Sequence, residues 1–153
     1  MHPLVYAIFL SLLPVSELRG GIPFAIAQGV NPFLAFAVCV LANMLVAPIV
    51  FFFLEFVHHR LLPIKFYRKT FDWFLERARK KSHKTIEKYG YLGLAIFVAI
   101  PLPATGAYTG ALVAWFFGMK SWKSIAYIAL GVLAAGIIVT LAMTAGWTVL
   151  GLG

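Results

Sequence analysis

Apolar residues fill two long stretches of the chain, 3–57 and 92–152, on either side of a polar, basic segment. Neither stretch reads as one helix, because prolines and glycines interrupt each near its start. Residues 3–13 form an apolar run that Pro14 ends. At ~1.5 Å per residue such a run covers about half of a ~30 Å hydrocarbon core. The interruption 14–23 carries Glu17 and Arg19, and residues 24–29 are apolar again. From 31 to 57 the run is long enough for a full span, with Pro48 as the expected kink. The second stretch repeats this plan. Residues 92–100 are a half-length run, 101–110 a second break, 111–119 apolar, and 124–150 a second full span.

A shift of 89 positions aligns the two stretches without a gap. From Leu13/Leu102 to Val50/Val139, nine of 38 positions are identical, among them Pro14/Pro103, Gly21/Gly110 and Gly29/Gly118. The breaks and the long runs fall in register as well, which is the mark of an internal repeat. Lys120 and Lys123 bear on the topology. If 92–119 dips into the membrane and returns, these lysines share a side with the basic segment, as the positive-inside rule prefers. The predicted fold is therefore an all-α integral membrane domain, residues 1–153, with an inverted-topology repeat. Each half is a re-entrant helical hairpin (3–29 and 92–119) followed by one transmembrane helix (31–57 and 124–150). A basic interfacial amphipathic helix within 58–91 joins them.

Composition agrees. Hydrophobic residues make up 62% of the chain and charged residues 12%, and mean hydropathy is +0.92. Soluble domains are roughly half apolar and a quarter charged, so a soluble enzyme, a disordered chain and a disulfide-stapled module are excluded. The net charge of +8 is concentrated. Segment 58–91 holds ten Lys/Arg against Asp72, Glu76 and Glu87, a net of +7, and everything else sums to +1. That is a cytoplasmic loop rather than a nucleic-acid surface. It places both termini outside a plasma membrane. Tyr67, Phe71, Phe74, Leu75 and Ala78 recur on one helical face of this segment, with Lys and Arg elsewhere, the pattern of a helix lying in a membrane interface. Binding of anionic headgroups is a modest additional expectation. Cys39 is the only cysteine and reads as a small core residue. The N-terminus lacks the basic start of a signal peptide and is expected to be retained.

Candidate chemistry lies in the two breaks. Ionisable residues at membrane depth are costly, so Glu17 and Arg19 are the first functional candidates. Two positions apart, they do not face each other on a helix. Each is expected to look across a cavity, towards the other hairpin, a substrate or a second subunit. Either they form a structural ion pair that pins the turn, or Arg19 contacts an anionic group while Glu17 gains and loses a proton. The second break offers Thr105, Tyr108 and Thr109. Ser16 and Thr105 stand where helices would start and are expected N-caps. Two helix starts meeting at mid-membrane would attract a phosphate or carboxylate. Pro14, Gly20, Gly21, Pro23, Pro101, Pro103, Gly106 and Gly110 are expected to shape the turns. Asn43 and Gln28 are candidates for bonds between helices. Gly131, Ala135, Gly136 and Thr140 mark close packing. Glu55, His58 and His59 lack a third convincing metal ligand, and no cofactor is expected.

The segments Pro14-Val-Ser-Glu-Leu-Arg-Gly-Gly-Ile-Pro23 and Ile100-Pro-Leu-Pro-Ala-Thr-Gly-Ala-Tyr-Thr-Gly-Ala111 resemble the two signature segments of the small multidrug export protein family. That family is a relative of the DedA superfamily, which also holds eukaryotic lipid scramblases. The resemblance implies facing re-entrant hairpins and transport of a lipid or amphiphile, often coupled to protons. It matches Glu17 to the family's acidic hairpin position and Arg19 to its basic neighbour. Thr105 stands where the larger superfamily carries an arginine. The expected function is a transporter, not an enzyme, for an amphiphile with an anionic head, such as a polyprenyl phosphate or a drug. Membrane lipids, protons and a second copy of the chain are the expected partners, with no nucleic acid. A lipid-pyrophosphate phosphatase and a non-transporting scaffold are the alternatives.

Overall fold

The computed structural model describes residues 2–102 and 105–151. The described residues are helical, with no strands. His2 and Asn31 start helices by the same device. Each side chain accepts a backbone N–H of the first turn, and each is followed by proline at the first helical position, where the missing N–H costs nothing. Helix α1 runs Pro3–Leu12 and α2 Glu17–Ala27. They pack along each other as a helical hairpin. Both are short, about 15 Å each, half a bilayer core.

The first long helix, Pro32–Leu61, has a mean hydropathy of 2.5 over its most apolar window. It comprises α3 (Pro32–Met44), α4 (Val46–Phe52), one π turn (Phe53–Val57) and α5 (His58–Leu61). The interruption at Leu45 follows from Pro48. Its ring has no N–H for the carbonyl of Met44 and crowds it. Helix α6 (Lys65–Ala99) doubles back at Gly90, whose φ of 57° and ψ of −127° suit only glycine. The return is tight, since a Cβ on Gly93 would collide with the Thr85 carbonyl. Helix α7 (Ala107–Phe116) follows the second break, and α8 (Ser121–Val149) is the second long helix, with hydropathy 2.4.

The elements repeat with the shift seen in the sequence. Pro32 and Ser121 begin the long helices 89 residues apart (121 − 32). Gly29 and Gly118 end the helices before them, at φ 81° and 65°. In both, the next N–H reaches five residues back, Val30 to Ala25 and Met119 to Ala114, the Schellman arrangement that left-handed glycine permits.

A core of small and branched residues, including Ile22, Ala25, Val98, Val113 and Ile128, holds the bundle together. Outside it, Phe33, Leu41, Ile49 and Phe52 on the first long helix, and Leu130, Ile137, Ile138 and Leu141 on the second, are exposed. Two such apolar helices with outward faces support a membrane location.

Three expectations need correction. The first turn is confined to 13–16. Gly20, Gly21 and Pro23 lie inside α2, and Gly110 lies inside α7. Gly21 and Gly110 serve close packing instead, since a Cβ would meet the Ala7 carbonyl at 2.7 Å in one case and the Val98 side chain in the other. Second, neither Ser16 nor Thr105 caps a helix through its side chain. Ser16 Oγ donates to the Leu10 carbonyl near the end of α1, which also accepts the Leu13 N–H. Thr105 Oγ1 lies 2.6 and 2.7 Å from the Ile100 and Leu102 carbonyls, and Gly106 takes the cap position. Third, the apolar face of the basic segment packs on the protein itself. Ala78, Ser82 and Ile86 are buried, and Phe71 meets Trp115 at 6.1 Å between ring centres. Pro101 lies exposed in the second break, and Pro103 falls outside the described residues.

Candidate functional site

The two breaks face each other and exchange polar contacts. Glu17 is the first residue of α2, 6% exposed, with a left-handed φ of 49°. Its carboxylate lies across the interface at the start of α7, where Oε1 accepts the Tyr108 N–H at 3.3 Å. Gly106 makes room for it, because a Cβ there would overlap the carboxylate. An anion at a helix N-terminus meets unpaired N–H groups and the positive end of the dipole. The chain therefore fills the α7 anion seat with its own side chain.

Arg19 also crosses. Its guanidinium donates to the carbonyls of Ile100, Leu102 and Thr105, and at 2.9 Å to Thr105 Oγ1. Among the described residues no ion pair joins Arg19 to Glu17. Tyr108 makes the reciprocal crossing, its hydroxyl donating to the Leu12 carbonyl at the end of α1. Arg19 and Tyr108 are 89 residues apart (108 − 19), so the same repeat position braces both halves. Each donates to backbone carbonyls of the opposite half, Arg19 in the second break and Tyr108 at the last residue of α1. Glu17 has Gly106 as its repeat counterpart, and only the first half supplies an acid.

A cavity of about 240 Å³ opens beside these contacts, lined by Pro14, Val15, Ser16, Glu17, Arg19, Phe74, Thr105 and Thr109. A second, apolar cavity of about 340 Å³ shares Pro14 and Phe74 with it and is otherwise lined by residues that include Ile49, Phe53, Phe71, Tyr108 and Leu112. Phe74 stands between a polar chamber and an oily one, a position that helical periodicity does not reveal. The pairing of Arg19 with Tyr108 was legible in the 89-residue shift.

These are the two segments that the family comparison turns on. The chain matches, over residues 17–138, the family described as "Putative small multi-drug export protein". The chain belongs to this family. Its description is that of a membrane transporter rather than an enzyme. No curated protein matches the chain, and no solved structure does.

Several other candidates have structural roles. Asn43 Nδ2 donates to the Ser11 carbonyl at 2.9 Å, tying α3 to α1. Gln28 is exposed at the end of α2. Gly131 packs against Ala95 and Val98, and Gly136 against Val40 and Phe36. His58 is buried with Nδ1 2.9 Å from the Tyr67 hydroxyl, His59 is exposed, and Glu55 accepts from Ser121 Oγ at 3.3 Å. Among the described residues no cluster suited to a metal occurs.

Proposed function

We propose that this export-family protein moves an amphiphile with an anionic head, of the polyprenyl-phosphate or lipophilic-drug kind, coupled to a proton on Glu17. The two hairpins enter the membrane from opposite leaflets and meet at the site. The observation that carries this reading is the adjacency of the polar chamber at Glu17 to an apolar chamber, with Pro14 and Phe74 lining both. The first fits a head group and the second the start of a hydrocarbon tail.

Glu17 supplies the coupling. Ionised, its carboxylate holds the start of α7 and excludes a second anion by repulsion. Protonated, it loses its attraction for the helix dipole and yields the seat. The head group then takes the α7 N–H groups, with Thr105 and Thr109 at its sides. Proton and anion thus bind together and leave together. Arg19 has a structural part, since carbonyls and Thr105 already occupy its donors. Rocking of one half against the other alternates access.

The test is flux of an anionic amphiphile in vesicles with an imposed pH gradient. Wild-type flux is expected to follow the gradient. Glu17→Gln is expected to remove that dependence while the protein stays folded. Apparent affinity should also fall tenfold per pH unit above the Glu17 titration, because only the protonated fraction binds. Unchanged gradient-driven flux in Glu17→Gln overturns the assignment.

A further inference from the structure

The outer side of α6 carries a pattern that the transport site does not use. Its apolar stripe is consumed by the bundle, yet Phe66 is 81% exposed and Trp73 60% exposed. Phe66, Trp73, Arg77, Lys80 and Lys84 fall at i, i+7, i+11, i+14 and i+18, one face of a helix. That face lies roughly a third of a turn from the packed one. Aromatic rings beside Lys and Arg on an exposed helix are the composition of a surface that contacts lipid headgroups.

The stripe also has a shape. Trp73, Glu76, Arg77 and Lys80 line a notch of about 310 Å³. Arg77 lies over the Trp73 ring, 5.4 Å from its centre. Among the described residues Arg77 pairs with no acid. Glu76 shares the notch, where its Oε1 meets Arg79 at 2.9 Å and Lys80 at 3.8 Å. The hydrogen bond from Arg79 holds the Glu76 carboxyl below the usual carboxylate range. The notch thus holds two cations to one acid and stays net positive, with Arg77 the cation that meets no acid among the described residues. Arg77 presents a planar fork suited to phosphate oxygens.

We infer that the notch at Trp73, Arg77 and Lys80 binds the phosphate of an anionic phospholipid, with Phe66 and Trp73 set against the bilayer as anchors. Charge complementarity selects this occupant. Segment 58–91 has a net charge of +7, and a leaflet rich in anionic lipid offers the matching sign beside oily chains for the two rings. The lipid here is a bound partner of the outer surface, separate from the transported molecule between the hairpins.

The full chain is reconstituted with Trp115, Trp122 and Trp147 changed to Phe, leaving Trp73 as the reporter. Its quenching by brominated phosphatidylglycerol is compared with that by brominated phosphatidylcholine at equal mole fraction. A preference of tenfold or so for the anionic lipid is expected. Arg77→Gln with Lys80→Gln should lower it by roughly threefold per cation removed, to near parity between the two lipids. Both residues are exposed, and helical content read by circular dichroism should not change. Equal quenching by the two lipids overturns the inference, as does an undiminished preference in the double variant. Relief of the preference by millimolar inorganic phosphate assigns the notch to a free anion, and shielding of Trp73 by a soluble polyanion such as heparin, without lipid preference, assigns the face to a soluble partner. Either result overturns the lipid reading.

Discussion

Glu17 adopts a left-handed φ of 49°, a conformation that residues other than glycine seldom take. Its repeat counterpart Gly106 is also at positive φ, 139°. The pair explains why one half carries the acid and the other must not, since the carboxylate occupies the space that a side chain on residue 106 would need. Gly106→Ala is therefore expected to lower stability by about 1–3 kcal/mol through backbone strain, and to drive the Glu17 carboxylate from the start of α7. Denaturation in detergent checks the first effect, and loss of gradient-dependent flux checks the second. Glu17 and Arg19 were visible in the sequence because charge is rare in so apolar a stretch. Tyr108 and Thr105 were named as candidates too, but which atoms meet was not legible, because Tyr108 and the carbonyls of Ile100, Leu102 and Thr105 lie more than 80 residues away and carry no charge.

Helices here meet through small residues, as expected where lipid tails give no hydrophobic drive for association. Gly131 lets α8 approach the last turns of α6 so closely that a Cβ would stand 2.6 Å from the Ala95 carbonyl. Gly131→Val should cost about 1–3 kcal/mol, the usual price of overpacking. Gly146, also on α8 but with open space beside it, provides the contrast. Gly146→Val should change stability by no more than about 0.5 kcal/mol. Thermal midpoints of the two variants in one detergent decide between packing and general intolerance of bulk in α8. Periodicity located these elements well and misjudged one of them. The stripe Tyr67, Phe71, Phe74, Leu75 and Ala78 announces that a face is covered. It cannot say whether lipid or protein covers it, because both are equally apolar.

The whole molecule is two similar halves joined by a basic helix. The proposal of opposed hairpins makes a plain demand on topology, namely that Asn31 and Lys120 lie on opposite sides of the membrane. In a Cys39→Ser background, Asn31→Cys and Lys120→Cys should react with an impermeant thiol reagent from opposite faces. Labelling of both from one face removes the inverted arrangement, and the two-leaflet mechanism with it. Cys39 is buried, so its replacement by the smaller polar serine should leave both labelled positions undisturbed.

The extent of each break was not written in the linear sequence, whereas the two long apolar helices, the places where the chain breaks before each and the segregation of charge were. Each is a local property, set by hydropathy over a window or by a proline that no helix interior accommodates. Only the tertiary structure decided where the polar groups of the breaks go. Glu17 meets α7, Arg19 meets the carbonyls of the second break, and Tyr108 returns the contact to α1. Unpaired helix ends must be satisfied, but which distant side chain satisfies them depends on how the two halves dock.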